Sequence, residues 1–336
     1  MLLRQRFLPY DRPMTSIESV VAAARRLDGV ARVTPLLESP FINELAGRRV
    51  LVKAECLQHT GSFKFRGAWS ALSALDSAIR SRGVLAYSSG NHAQAIALAA
   101  RMHGVPAVII MPADAPALKI DNTRARGAEV VLYDRDTESR EALGEALERD
   151  RGLTLVRPYD EPLVIAGQGT VGLEIARQAE EFGITEADVL VCCGGGGLTA
   201  GIALALAARA PGLRPRPCEP AGFDDTTRSL AAGRRVGNEP GARSICDAIV
   251  TPMPGALTFP ILQRHCGPGL VVSDDEALRA MAVAFSRLKL VLEPGGAVAL
   301  AAALCRSQAI DGDVVIVVAS GGNVDSALYQ LALSTA

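Results

Sequence analysis

Four short stretches of this 336-residue chain combine glycine with side chains that can bind or react. The first is Thr60-Gly61-Ser62-Phe63-Lys64-Phe65-Arg66-Gly67-Ala68, in which Lys64 stands at the start of a helical pattern. The positive end of a helix disfavours an ammonium, and two flanking phenylalanines add desolvation. Both effects lower the lysine pKa toward the range where its amine attacks a carbonyl and forms a Schiff base. A solvated lysine at a helix start would carry the same local residues. The second stretch is Ser88-Ser89-Gly90-Asn91-His92. Its small residues expose main-chain N–H groups at a helix start, a site for an anion such as a substrate carboxylate. A plain N-cap by Ser or Asn is the alternative.

The third is Gly194-Gly195-Gly196-Gly197, between a strand pattern and a helix pattern. Four glycines let the main chain approach a phosphate while the helix dipole faces it. A structural turn is one alternative. Another is dinucleotide binding, because Gly195, Gly197 and Ala200 satisfy GxGxxA and Glu219 lies near the spacing of a ribose-binding acid. Against that reading, Leu213–Glu219 contains two prolines and makes a poor strand. The fourth stretch, Ser320-Gly321-Gly322-Asn323, places a hydroxyl at the carboxyl end of an apolar run, where a generic turn would also fit.

The elements that must position these loops alternate along the chain. Nearly continuous apolar runs predict strands over Val50–Glu55, Val84–Tyr87, Ala107–Met111, Ala128–Leu132, Val189–Cys193 and Val314–Ala319, as in parallel sheets covered on both faces. Helical patterns fall on Asn91–His103, Ala117–Arg126, Thr137–Asp150, Gly169–Phe182, Leu198–Arg209 and Asp274–Leu288. This alternation implies βαβ units and a doubly wound α/β architecture, with ligands at the carboxyl ends of strands. Gly83 to Pro162 holds a self-contained set of βα units, and the flanking pieces have the material for a second sheet.

Hydrophobic residues make up 49% of the chain and charged residues 21%, enough apolar material for a large core. A net charge of −1 leaves no electrostatic footprint for nucleic acid or an anionic membrane, which points to a small-molecule ligand. The seven cysteines have no CxxC pair and read as reduced thiols. No apolar run reaches the length of a membrane span, and the start is too interrupted for a signal peptide, so a cytoplasmic location is expected.

Taken together, the motifs GSFKFRGA, SSGNHAQA, PYDEPLVIAGQGT, GGGGLTAG, EPGGAVAL and SGGN resemble, in this order, the fold-type II pyridoxal-5′-phosphate (PLP) enzymes. The similarity is to the serine/threonine dehydratase and serine racemase group, and it runs from about Ser16 to Leu328. It implies two doubly wound open-sheet domains of the tryptophan synthase β type. Residues 1–13 would be a tail, 14–82 plus 163–336 the large PLP-binding domain, and 83–162 a small mobile domain. It also implies that Lys64 carries PLP and removes the substrate α-proton, and that Phe63 packs beside the cofactor. Asn91 would meet its phenolic oxygen, Gly194, Gly195, Gly196 and Gly197 its phosphate, and Ser320 its pyridine nitrogen. Ser88, Ser89, Gly90, Asn91 and His92 would hold the substrate carboxylate. The implied protein is a homodimeric ammonia-lyase for L-threonine or L-serine, with serine racemase or 3-hydroxyaspartate dehydratase as alternatives; the nicotinamide reading loses to this resemblance.

Some positions bear on substrate and regulation. Ser89 stands where racemases have serine and many dehydratases alanine, so it is a candidate second proton carrier. Ala248 replaces a frequent glycine near the substrate. No regulatory domain follows Ser320-Gly321-Gly322-Asn323, so isoleucine feedback is not expected. Glu219, Phe223 and Asp225 resemble a loop that binds Mg²⁺ or Ca²⁺ in racemase-like members, a set of hard oxygen ligands; a solvated acidic turn is the alternative. A second substrate carboxylate would need a basic partner, for which Arg66, Arg135 and Arg243 are candidates.

Overall fold

The computed structural model describes residues 15–115 and 117–335, so the expected tail at 1–13 lies outside the described residues. The strands are β1 (Leu36–Glu38), β2 (Arg49–Lys53), β3 (Val84–Tyr87), β4 (Ala107–Pro112), β5 (Glu129–Tyr133), β6 (Thr154–Leu155), β7 (Ala187–Cys192), β8 (Leu213–Pro220), β9 (Leu270–Val272) and β10 (Val314–Val318). The first helices are α1 (Ile17–Leu27), α2 (Pro40–Ala46), α3 (Lys64–Ser73), α4 (Ser77–Arg80), α5 (Asn91–His103), α6 (Ala117–Ala125) and α7 (Arg140–Arg151). They are followed by α8 (Pro162–Glu181), α9 (Gly197–Arg209), α10 (Asp225–Ala232), α11 (Thr258–His265), α12 (Asp274–Leu288), α13 (Pro294–Cys305) and α14 (Ser326–Leu333).

Two sheets result. One has the order β1-β2-β10-β7-β8-β9, the other β5-β4-β3-β6. All pairings are parallel except β1 with β2. The four-stranded sheet is built from residues between Val84 and Leu155, and the six-stranded one from strands on both sides of that segment. This is the expected α/β architecture. Val315, Ile316 and Val317 of β10, like Val108, Ile109 and Ile110 of β4, are buried, because helices cover both sheet faces. Each such side chain contributes about 1.5–3 kcal/mol relative to exposure. Helix α13 is apolar all round and sits buried against β7, β8 and β10.

Several boundaries move for local reasons. Helix α8 starts at Pro162, not Gly169, with proline in the first turn where no N–H is missed. Helix α7 starts at Arg140 because Ser139 Oγ accepts from Ala142 N and caps it. Strand β2 ends at Lys53, where Glu55 enters a tight turn.

Contrary to the sequence expectation, Leu213–Pro220 is a strand, almost wholly buried between β7 and β9. Pro215 O accepts from Gly267 N, so the nitrogens of Pro215 and Pro217 face the β9 side. There β9 pairs only with Cys218, Glu219 and Pro220, so the prolines cost β7 no ladder bond.

A buried ion network anchors the start of α3. Arg66 donates to Glu55 through Nε and Nη2, both at 2.8 Å, and to Glu174 of α8 at 2.6 Å. Lys53 Nζ joins the same Glu174. Buried charges hold only when so completely paired, and this pairing locks α3 to β2 and α8. The lock sits two residues after Lys64.

Candidate active site

Loops at the carboxyl ends of β3, β4, β5, β6, β7 and β10 line a cavity of about 1370 Å³. All four glycine-containing stretches reach it. Lys64 opens α3, with the Phe63 ring 5.2 Å from its Nζ. Nζ donates to Pro158 O at 2.9 Å. Burial pushes the ammonium down to about 8, against the attraction of Glu293. At that value roughly a tenth of the amine is neutral at pH 7, enough for a nucleophile or base.

The loop after β3 contributes Ser88 to His92. Ser88 Oγ accepts from Gly90 N at 3.1 Å, and Gly90 opens onto free space. Ser89 is half-exposed on the cavity wall. The His92 ring is buried, with Nε2 at 2.9 Å from Val156 O, and burial with Lys64 nearby pushes it down to about 3. It stays neutral, so what His92 offers an anion is its main-chain amide at the start of α5.

Asn91 joins three of the stretches. Its Nδ2 donates to Glu293 Oε1 at 2.6 Å and its Oδ1 accepts from Asn323 Nδ2 at 2.7 Å. Asn323 in turn donates to Thr60 O at 2.7 Å. One Nδ2 hydrogen of Asn91 remains available. Glu293, buried at the N-terminus of α13, was not foreseen as a site residue although it opens the EPGGAVAL motif. Burial pushes its carboxyl up to about 8. No local residue pattern signals this, because the burial comes from other segments.

The glycine loop runs from β7 into α9. Gly196 has φ +89°, in the left-handed region, and a Cβ on Gly195 would overlap the Tyr159 ring. Thr258 Oγ1 and Gly255 N both donate to Gly195 O, at 2.7 and 3.2 Å. Asp160 fixes that supporting turn by accepting from Ala256 N and Leu257 N. Ser320 is buried in the cavity wall after β10, and its carbonyl accepts from Phe63 N at 3.1 Å.

These features fit a phosphorylated aldehyde. A side-chain-free loop at the start of a 13-residue helix suits the phosphate, and a desolvated lysine suits the aldehyde. The free Asn91 hydrogen and the Ser320 hydroxyl suit the two polar ring positions.

The dinucleotide reading fails on the placement of its acid, not on a missing strand. Strand β8 exists, but Glu219 at its end is fully buried and turned to α10. Its Oε1 accepts from Thr226 N and its Oε2 from Thr227 N and Oγ1, at 2.7–2.8 Å. Asp225 is also buried, with Oδ1 bonded to Asn238 and Oδ2 lacking a hydrogen bond. Burial raises the Glu219 carboxyl to about 7 and that of Asp225 to about 6. Phe223 lies in the turn between them, its N donating to Pro220 O. Among the described residues no group of three or more His, Cys, Asp or Glu side chains gathers for a metal. Two carboxylates and a carbonyl, with one buried oxygen unpartnered, still fit a hard cation.

Of the basic candidates, Arg66 is excluded by its buried pairing with Glu55 and Glu174. Arg243 is exposed and outside the cavity lining. Arg135 lines the cavity but pairs with Asp114 at 2.8 Å. Sequence reasoning missed Arg140, which lines the cavity from the first turn of α7 and lies 6.0 Å over the Tyr87 ring. Its Nε pairs with the adjacent, exposed Glu141 at 2.7 Å, which leaves the Nη groups as donors. The available signal was Ser139, whose cap starts α7 soon after β5 and so turns Arg140 toward the ligand side of the sheet. Ala248 lines the wall beside Gly295, where an added Cβ would approach its own Cβ to 3.3 Å. The seven cysteines are free thiols, five of them buried. No helix among the described residues is long and apolar enough to cross a membrane.

A family model described as "Pyridoxal-phosphate dependent enzyme" matches residues 27–321. An L-threo-3-hydroxyaspartate ammonia-lyase of Pseudomonas sp is 44% identical over 94% of this chain and 98% of its own length. A serine racemase of Schizosaccharomyces pombe is 40% identical over 96% of this chain and 98% of its own. Among solved structures, a threonine deaminase of T.th. superposes with a TM-score of 0.87 and 44% identity, covering 92% of this chain and 99% of that one.

Proposed function

Since this chain belongs to the pyridoxal-phosphate dependent enzymes, in their ammonia-lyase and racemase group, we propose that it eliminates water and then ammonia from 3-hydroxyaspartate. The observation that carries the substrate is Arg140, a cation in the cavity lining whose Nη groups are left as donors for a second carboxylate. The similarity to relatives named for that substrate supports it. A second reading, dehydration of L-threonine or L-serine, draws on the threonine deaminase likeness.

In the proposed mechanism Lys64 would hold the cofactor through its Nζ, and the same nitrogen, when free, would take the substrate α-proton. The bound cofactor supplies the electron sink for the α-carbon. Gly194 to Gly197 and the start of α9 would hold the phosphate, Asn91 would donate to the phenolic oxygen, and Ser320 would meet the ring nitrogen. The main-chain amides from Ser88 to His92 orient the α-carboxylate, and Arg140 orients the β-carboxylate. Ser89 is the second proton carrier, needed only for inversion. Glu219, Phe223 O and Asp225 would hold Mg²⁺ or Ca²⁺.

Residues 83–162 form the proposed mobile domain, with the Lys119–Asp247 ion pair at 3.1 Å as a latch between α6 and the large-domain loop. The proposed working form is a homodimer, and Phe41, Leu45, Phe285 and Leu331 are exposed apolar side chains that a partner subunit would cover.

The test is a panel of L-threo-3-hydroxyaspartate, L-serine and L-threonine, scoring oxo-acid release. The expected order puts hydroxyaspartate first in kcat/KM. A higher value for L-threonine or L-serine would replace this reading with the second one.

A further inference from the structure

The acidic pair at the end of β8 lies outside the cavity lining, yet one side chain joins it to the cavity wall. Asn238 Nδ2 donates to Asp225 Oδ1 at 2.8 Å and to Thr251 O at 2.7 Å. Its Oδ1 accepts from Arg228 Nη2 at 2.7 Å, and because a guanidinium only donates, the amide has one orientation. Its main-chain N donates to Pro252 O at 3.0 Å. Nearby, Arg235 Nε donates to Pro254 O at 2.8 Å, and Val236 N to Ser229 Oγ of α10 at 2.8 Å. The segment from Arg235 to Asn238 is thus stitched to α10 on one side and to Thr251–Pro254 on the other. Thr251, Pro252, Met253 and Pro254 all line the cavity.

Asp225 is 1% exposed and its Oδ2 has no hydrogen-bond partner. Glu219, fully buried, keeps a lone pair on Oε1, which accepts one bond only. A buried carboxylate oxygen without a donor calls for a cation. Whatever Oδ2 binds will set the position of Oδ1, since both belong to one planar group. Asn238 can follow Oδ1 only by moving its other hydrogen against Thr251 O.

We propose that Asn238 is a positioning residue that couples a hard divalent cation at Glu219 and Asp225 to the cavity wall at Thr251–Pro254. The coupling is independent of which hydroxy-amino acid the enzyme prefers.

The experiment uses the full-length, cofactor-loaded protein with MgCl₂ or CaCl₂ against EDTA. Melting temperature and amide hydrogen exchange are compared in wild type, Asn238→Ala and Asn238→Ser. In wild type the cation raises the melting temperature and slows exchange at Thr251 and Met253 by about tenfold, as local opening becomes rarer. In both variants the rise in melting temperature persists and the exchange response at Thr251 and Met253 is lost. Equal protection in wild type and variants would overturn the role of Asn238. A wild-type rise in melting temperature without protection at Thr251 and Met253 would overturn the coupling, and no cation response in wild type would overturn the site. Both wild-type outcomes are readable even if a variant does not fold.

Discussion

Asn91 and Glu293, 202 positions apart in the chain, meet at 2.6 Å, so a buried carboxyl group orients the amide proposed to face the cofactor. The folded chain binds a proton on Glu293 up to about 8, whereas its ordinary value is 4.5. The unfolded chain therefore releases that proton first, and the stability tied to Glu293 is lost as pH rises through that interval. Glu293→Gln removes the titration. The melting temperature of the apoprotein should then fall less steeply with pH than that of wild type. Equal slopes would show that Glu293 is ionised in the fold.

Lys64→Ala should abolish covalent capture of the cofactor and all turnover. In the wild-type apoprotein, capture needs the neutral amine, which burial makes available at about 8. The capture rate, followed by the visible absorption of the lysine-bound cofactor, should climb with pH and level off above about 8. A rate still rising tenfold per pH unit above about 9, roughly the behaviour of an ordinary lysine, would contradict a desolvated Lys64.

Arg140→Leu should lower kcat/KM for 3-hydroxyaspartate by about 10- to 100-fold, the range for losing a charged hydrogen bond. Activity toward L-serine should change little, since serine has no second carboxylate. Equal losses on both substrates would make Arg140 a packing residue for Tyr87.

Ser89→Ala separates elimination from inversion. In the proposed mechanism dehydration of an L-substrate would use Lys64 alone, while inversion would need a proton carrier on the other face. The variant should keep L-serine dehydration and lose D-serine formation by about 10²–10⁴-fold. Chiral chromatography of recovered serine beside pyruvate release checks this. Parallel loss of both activities would identify Ser89 as a carboxylate-binding or packing residue.

Much of this site was legible in the sequence because its parts are local. A strand's end followed by glycine and small polar residues recurs at Ser88–His92, at Gly194–Gly197 and at Ser320–Asn323, and a helix follows directly at the first two. Each places main-chain groups at a strand's carboxyl end. The strands β3, β4, β7 and β10 were equally plain, since burial on both faces demands apolar runs. Strand β8 was not. Its two interior prolines, Pro215 and Pro217, are tolerable only because their nitrogens face the short strand β9, which comes from a later segment that no local pattern in β8 announces.

The charged residues divide in the same way. Lys64 could be picked out by its neighbours, but Arg66 and Arg140 are both arginines near helix starts, and nothing local says which of them is paired with buried acids. Arg66 is consumed by Glu55 and by Glu174, a partner 108 positions away. Arg140 pairs with its exposed neighbour Glu141, lies over the Tyr87 ring and keeps its place in the cavity lining, because among the described residues no buried acid forms an ion pair with it. A polar side chain's chemistry is written in its own residue type, whereas its solvation and pairing depend on which distant segments pack around it. The sequence by itself therefore determined the candidate nucleophile, phosphate loop and asparagine, and only the tertiary structure decided which glutamate pairs with that asparagine and which arginine stays free of buried acids in the same cavity wall.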